Sequence, residues 1–157
     1  MRGMREDISG FDAGTATLRA LDGWWVAHRA ILGGVALPSD IVPELSLLIF
    51  NGGFFFGRDE GRVEVNVEAT PAEMDVRIVR GPNRLRLMPA VFTLSGHTLR
   101  ICYDLAGIER PTEFSAPLGT RRLLVTYQRM LDEDAPRQTT PLKERPRRSR
   151  RVVVMAP

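Results

Sequence analysis

The chain has 157 residues, the usual size of one domain, and 43% of them are apolar, which is enough for a hydrophobic core. It contains no apolar run long enough to span a membrane. Residues 1–129 hold 15 Arg against 15 acidic residues, whereas residues 130–157 hold 7 basic and 4 acidic residues and supply the whole net charge of +3. The neutral body argues against a specific nucleic-acid surface on the folded domain.

The beginning of the chain predicts a flexible arm and then a helical turn. Residues 1–15 are polar and contain glycine, and residues 17–22 favour a short helical turn before Gly23. The first seven residues lack the apolar segment of a secretory signal. The sequence therefore predicts a cytoplasmic protein, or a secreted one if a leader has been removed.

From Gly23 onward, short segments of alternating apolar and polar residues are separated by turn residues. Residues 62–68 alternate strictly, as half-buried strands do, and Asn51-Gly52 is a strong hairpin signal. A loop or a one-turn helix is expected between Pro38 and Pro43. The predicted strands cover residues 24–31, 45–50, 54–58, 62–68, 74–79, 84–87 with a continuation over 91–94, 98–103 and 122–129. The predicted turns lie at residues 33–34, 51–52, 59–61, 71, 81–83 and 95–96.

About eight short strands at this spacing are typical of an all-β barrel or sandwich. Short connections favour an antiparallel up-and-down order, and closure into a barrel removes both exposed sheet edges. The one long connection, residues 104–121, joins the last two strands. The barrel domain is predicted over residues 16–130, with a short helical turn at its N-terminal end.

The cysteine content and the C-terminal composition limit the remaining chemistry. Cys102 is the only cysteine, which excludes an intramolecular disulfide and a cysteine-cluster metal site, and its place in a strand predicts a small buried residue. Residues 131–157 lack apolar periodicity and are predicted to be disordered when alone. Their basic run, residues 143–151, either binds an anionic membrane, an acidic protein or nucleic acid without sequence specificity, or is a solvated tail.

Two sets of motifs resemble known families. Gly23-Trp24-Trp25 resembles the Gly-x-Trp motif of the lipocalin superfamily, and Arg129 resembles its partner. Residues 99–102, 109–115 and 123–129, together with residues 71–75 and Gly33-Gly34, resemble a lipocalin-like domain family of unknown function first catalogued in planctomycetes. This resemblance covers residues 20–130 and implies a barrel whose closed end holds Trp25 under Arg129. The chain departs from the family at residues 88–92 and 96–98, and Pro89 predicts a kinked or edge strand there.

The alternation of side chains along each strand predicts which residues face the barrel interior. If Trp25 points inward, Ala27, Arg29 and Ile31 share its side. The matching sets are Leu99, Ile101 and Tyr103 on one strand and Leu123, Val125 and Tyr127 on another. In a barrel that holds a ligand, Arg29, Tyr103 and Tyr127 are then the polar groups inside. The alternative is a filled core in which both phenols bond to the backbone.

Other polar residues offer no catalytic motif. Arg110 and Glu113 flank Pro111 in the long connection; either they gate the barrel mouth or bind an anion, or they pair with each other or cap the loop. His28 and His97 have no partner at metal-ligand spacing. No Gly-x-Ser-x-Gly is present, and the Gly-rich residues 51–57 predict a hairpin with packed aromatics rather than a phosphate cradle.

The sequence therefore predicts a noncatalytic lipocalin-like barrel that binds a small apolar or amphipathic ligand at its open end, without a cofactor or metal. The alternative is a filled barrel that serves as a protein-interaction module through its loops and basic tail. The interior of the barrel distinguishes the two hypotheses.

Overall fold

The strands form a closed antiparallel barrel. A computed structural model describes residues 13–131. Residues 1–12 of the predicted arm and residues 132–157 of the predicted tail lie outside this range. Residues 13–20 are helical (α1), and a 3₁₀ turn covers Val42–Leu45. The strands are β1 (Gly23–Leu32), β2 (Val35–Ala36), β3 (Leu47–Phe50), β4 (Gly53–Phe56), β5 (Asp59–Asn66), β6 (Ala72–Arg80), β7 (Leu87–Ser95), β8 (Thr98–Asp104) and β9 (Arg122–Arg129).

The strand order confirms the predicted eight-stranded up-and-down barrel with a short N-terminal helix. Each strand from β3 to β8 pairs with the next, β1 pairs with β3, and β1 also pairs with β9 to close the sheet. The two-residue β2 only extends β1 as a hairpin. The predicted Asn51-Gly52 turn is confirmed, with both residues at the positive φ values, 53° and 79°, that this kind of hairpin needs.

Several predicted boundaries are wrong by a few residues. Helix α1 lies over residues 13–20 instead of 17–22 and so begins within the predicted arm. The turn after β4 lies at residues 57–58 instead of 59–61, because β5 already starts at Asp59, whose carboxylate bonds to Asn83 beyond the neighbouring β6. Leu85 lies in a turn at φ 78°, so β7 begins at Leu87. The turn before β8 lies at residues 96–97 rather than 95–96.

Pro89 lies inside β7, which is paired on both sides. It faces Asp75 of β6, while the pairing of β7 with β8 begins only at Ala90, the following residue. A proline cannot donate a ladder hydrogen bond, so it fits where one of the two ladders has ended. Of the two alternatives predicted for Pro89, the edge strand is therefore wrong, because β7 lies inside the closed sheet and only its pairing with β8 stops before Pro89.

Alternation along the strands fills the barrel with apolar side chains. Fully buried inward residues recur at every second position of β6, β8 and β9, as expected from strand geometry. The inward orientation predicted for the β8 and β9 residues is confirmed. The buried core comprises Trp25, Ile49, Met74, Val76, Ile78, Ala90, Leu99, Ile101, Tyr103, Val125 and Tyr127, among others.

A β-bulge in β1 reverses the parity on which the Arg29 prediction depended. The β1–β9 register shifts between Ala27 and Arg29, so that Ala27 and Ala30 are both buried while Arg29 is exposed. A bulge inserts one extra residue and turns every later side chain to the opposite face. The prediction that Arg29 and Ile31 point into the barrel is therefore wrong.

One end of the barrel is closed by the chain segment that follows α1. Trp25 is completely buried, and its indole Nε1 donates to the Leu21 carbonyl at 2.8 Å. The Arg129 guanidinium lies over the indole at 4.3 Å and donates to the carbonyls of Asp22 and Ala20, each at 2.7 Å. Side chains that donate to the last carbonyls of a helix cap it, so this pair fixes α1 across the barrel end.

Replacing Trp25 by alanine should lower the free energy of unfolding by about 3–5 kcal/mol, since it removes a large buried side chain and the platform of Arg129. Trp24, the next residue, points outward with 45% of its surface exposed and is the matched control. Trp24→Ala should cost about 1 kcal/mol or less. Urea unfolding followed by circular dichroism compares the two; equal losses would contradict the assigned role of Trp25.

Candidate functional site

The end of the barrel opposite α1 contains a cavity of about 390 Å³. The C-terminal ends of β1, β4, β6 and β8, the N-terminal ends of β3, β5, β7 and β9, and their connections surround it. Ten of its sixteen lining residues are apolar, namely Leu32, Leu37, Leu45, Leu47, Phe54, Phe56, Ile78, Met88, Leu105 and Leu123. The polar lining residues are Asp59, Asn83, Arg86, Tyr103, Arg121 and Tyr127.

Two phenols form the buried polar group of the cavity wall. Tyr103 of β8 and Tyr127 of β9 are 3% and 2% exposed, and their hydroxyl oxygens lie 2.8 Å apart in a mutual hydrogen bond. Burial raises the pKa of Tyr103 well above its usual value, although the hydrogen bond with Tyr127 acts in the opposite direction. Burial and the neighbouring Tyr103 raise the pKa of Tyr127 as well, so both groups remain neutral over the ordinary pH range.

The other polar lining groups lie at the mouth, and most of them already bond to protein atoms. Asp59 accepts from the Asn83 backbone N–H at 3.0 Å and from its side-chain amide at 2.6 Å. Arg86 Nη1 donates to the Leu105 carbonyl at 3.0 Å. Arg86 and Arg121 are both exposed. The two arginines therefore place positive charge at the entrance, whereas the Asp59 carboxylate is buried and held by Asn83, and the phenols are neutral.

The long connection between β8 and β9 folds back over the outer wall of the barrel. It begins at Asp104, whose carboxylate accepts from the backbone N–H groups of Ala106, Ile108 and Glu109. Burial alone would raise the pKa of the Asp104 carboxyl, but these hydrogen bonds and the nearby positive charge of Arg122 outweigh it and hold the pKa below its usual value. The first turn of the loop is thereby fixed.

Arg110 anchors the middle of this loop. Its Nη1 donates to the carbonyls of Met74 and Ala90 at 3.2 and 3.1 Å, and its Nη2 lies 2.8 Å from the Asp75 carboxylate. Glu73 is a more distant partner at 3.8 Å. These contacts join the loop to β6 and β7 beside Pro89.

Further contacts hold the later part of the loop on β8. Arg100 lies 4.9 Å from the centre of the Phe114 ring, and the Cys102 thiol donates to the Ser115 carbonyl at 3.4 Å. Burial raises the pKa of the Cys102 thiol, and the residue is completely buried, as predicted. The loop thus covers the outer face of β8 rather than the mouth.

The structure brings only two of the predicted ligand-binding residues to the cavity. Tyr103 and Tyr127 line it together. Arg29 is exposed beyond the bulge, and Arg110 bonds to the outer wall. Glu113 is exposed and does not pair with Arg110, because the Arg110 guanidinium is held by the carboxylates of β6. Of this predicted pair, only Arg110 holds the loop, and it does so by bonding to β6 and β7.

Sequence reasoning missed most of the cavity lining. The parity rule, applied to β4, β6 and β7 as it was to β8 and β9, would have found Phe54, Phe56, Ile78 and Met88. Asp59, Asn83, Arg86 and Arg121 lie at turns around the mouth and carry no local signal. Only closure of the barrel brings these turns together.

Residues 13–131 contain no group of three or more His, Cys, Asp and Glu side chains arranged to hold a metal ion. His28 and His97 are both exposed. Within the same range, no helix has the length and apolar character needed to cross a membrane. Comparison of the chain with family models, curated proteins and solved structures gives no match.

The phenols should resist ionisation for as long as the barrel stays folded. The chain has only two tyrosines, so phenolate absorbance reports this pair alone. In the unfolded chain they should ionise near pH 10.0, the ordinary value, whereas the folded protein keeps both protons. Above that pH the unfolded state binds fewer protons than the folded state, so stability should fall as pH rises.

An alkaline titration followed by phenolate absorbance and circular dichroism tests this. The phenolate signal should appear together with loss of the β signal, and a titration in concentrated urea gives the reference curve. Ionisation near the ordinary pKa with the β signal intact would show that the phenols are not buried.

Proposed function

We propose that this protein is a noncatalytic lipocalin-like barrel that binds a small apolar or amphipathic ligand at its open end. The observation that carries the proposal is the cavity of about 390 Å³ with its predominantly apolar wall. Pockets for small molecules have volumes of about 300–1,000 Å³ and combine apolar walls with a few polar groups. The cavity agrees with both features.

The arrangement of charge supports an amphipathic ligand in one orientation. The end near Trp25 is closed, so the ligand enters at the mouth, between the turns that carry Arg86 and Arg121. An apolar body would be buried among leucines and phenylalanines, where each buried CH₂ group contributes about 0.8 kcal/mol. A polar or anionic end would stay near the exposed arginines.

The cavity also argues against a completely filled barrel as the basis of function. Buried side chains fill the barrel from the Trp25 end as far as Tyr127. Between Tyr127 and the open end, the side chains leave the cavity of about 390 Å³. A barrel that served only as a scaffold would gain stability by filling this space, since a cavity loses packing contacts. We infer that the space is retained for an occupant.

A second candidate function follows from exposed apolar side chains on the β6–β7 and β8–β9 connections, which both start and end at the cavity end of the barrel. Leu85, Ile108 and Leu118 lie on two different connections and are 85%, 84% and 80% exposed. Such apolar side chains at loop tips favour contact with a partner surface. An interaction module that docks through these two connections is therefore the alternative to a ligand carrier.

Filling the cavity should abolish ligand binding. Leu123 lines the cavity and is only half-buried, so Leu123→Trp should project an indole into the free space. The fluorescent amphiphile 1-anilinonaphthalene-8-sulfonate is the probe. Its affinity should fall about tenfold or more, since the ligand would have to displace a packed side chain.

Val79→Trp is the matched control, because Val79 lies on the outer face of β6 and is exposed. It adds the same ring without entering the cavity and should leave the probe affinity unchanged. Thermal unfolding of both variants excludes probe binding to a loosened core. Equal probe affinity in the Leu123→Trp variant and the unchanged protein would contradict the carrier hypothesis.

The same design separates the second candidate. The triple variant Leu85→Ser/Ile108→Ser/Leu118→Ser should weaken docking to a partner and leave probe binding in the cavity intact. Leu123→Trp should weaken probe binding and leave docking intact. Deletion of residues 131–157 distinguishes docking through the loops from docking through the basic tail. Partner binding that survives serine at all three positions would eliminate the loop version.

A further inference from the structure

The tyrosine pair has one more hydrogen-bond donor than the protein uses. Each phenol hydroxyl carries one O–H, and the pair Tyr103–Tyr127 spends one of them on the bond between the two oxygens. Within residues 13–131, neither hydroxyl bonds to any other protein group. The second O–H therefore has no acceptor among these residues, although both side chains are at least 97% buried.

The surroundings restrict where that acceptor can come from. Both tyrosines line the cavity, whose wall is predominantly apolar. The Asp59 carboxylate, the other buried acceptor of the site, bonds to Asn83 and not to either phenol. A buried donor without a partner is costly, so the pair favours an acceptor that enters through the cavity.

We propose that the ligand carries a neutral acceptor oxygen of the carbonyl type, and that this oxygen accepts a hydrogen bond from the Tyr103–Tyr127 pair while the apolar remainder fills the cavity. This inference rests on the proposed function and names the chemical class of its ligand. It assigns the two phenols as the specificity-determining residues of the site.

A neutral oxygen fits this position better than a carboxylate. Burial raises the pKa of both phenols, which shows that the surroundings disfavour negative charge, and the same burial would penalise a ligand anion there. The exposed Arg86 and Arg121 at the mouth are the groups that would attract an anionic end. A ketone, aldehyde, ester or amide oxygen accepts from the phenol without this penalty.

Benzophenone and diphenylmethane form the test pair, because they have the same two rings and differ only in a carbonyl replaced by CH₂. Their affinities are measured by displacement of 1-anilinonaphthalene-8-sulfonate from the full chain. The ratio of the two affinities in the unchanged protein is the reference. In the double variant Tyr103→Phe/Tyr127→Phe, this ratio should fall about three- to tenfold, the effect of one hydrogen bond.

The single variants make the test specific to the pair. In Tyr103→Phe or Tyr127→Phe the remaining hydroxyl no longer bonds to its neighbour and keeps one O–H for the ligand. Each single variant should therefore retain the carbonyl preference that the double variant loses. A purely structural role of the phenols would change both affinities equally and leave the ratio constant.

The outcomes separate this inference from the proposed function. If both probes bind in a manner sensitive to Leu123→Trp but the ratio is equal in the unchanged protein and the double variant, the acceptor hypothesis is wrong and the carrier hypothesis stands. If neither probe displaces a dye whose binding is weakened by Leu123→Trp, the acceptor hypothesis fails and the carrier hypothesis stands. If Leu123→Trp leaves dye binding unchanged, the carrier hypothesis fails and this inference fails with it. Thermal unfolding verifies that the Phe variants remain folded.

Discussion

The stacked pair of Trp25 and Arg129 is the interaction on which the rest of the structure depends. The two residues face each other across the β1–β9 pairing that closes the barrel, and together they bond to three successive carbonyls, that of the last α1 residue and the two that follow. The same contacts therefore close the sheet, hold the helical segment against the barrel and exclude water from that end. Because that end is sealed, the cavity must open at the other.

The long β8–β9 connection is held firmly against the outer surface of the barrel. Its charged residues are used internally, with Asp104 binding three backbone N–H groups and Arg110 binding two carbonyls and the Asp75 carboxylate. Charged groups held by several hydrogen bonds are effective anchors. The loop is therefore secured on the outer surface, and it contributes only its two ends, Leu105 and Arg121, to the cavity.

The chemistry of the cavity follows from the depth at which each polar group lies. Exposed arginines at the mouth retain their hydration, whereas the phenols on the wall are isolated from water and remain neutral. A ligand that matches this gradient has an apolar body and an uncharged oxygen at the tyrosines. Any charge it carries is best accommodated at the entrance. Recognition would then depend on hydrogen bonding inside and electrostatics outside.

The amino-acid sequence alone was sufficient for the number and order of the barrel strands. Alternation, hairpin turns such as Asn51-Gly52 and the pairing of Trp25 with Arg129 are local or motif-level signals, and the inward faces of β8 and β9 follow from them. Tyr103 and Tyr127 could be found in this way because regular strands alternate strictly.

Only the tertiary structure decided which polar residues share the cavity. The bulge after Ala27 turns Arg29 outward, and a register shift leaves no mark in an alternating pattern. Arg110 and Glu113 are neighbours in sequence, but Asp75 captures Arg110 from another strand. The mouth residues Asp59 and Asn83 meet across 24 positions of sequence. Such long-range juxtapositions arise from the pairing of strands and the folding of loops onto them, which no local pattern of residues encodes.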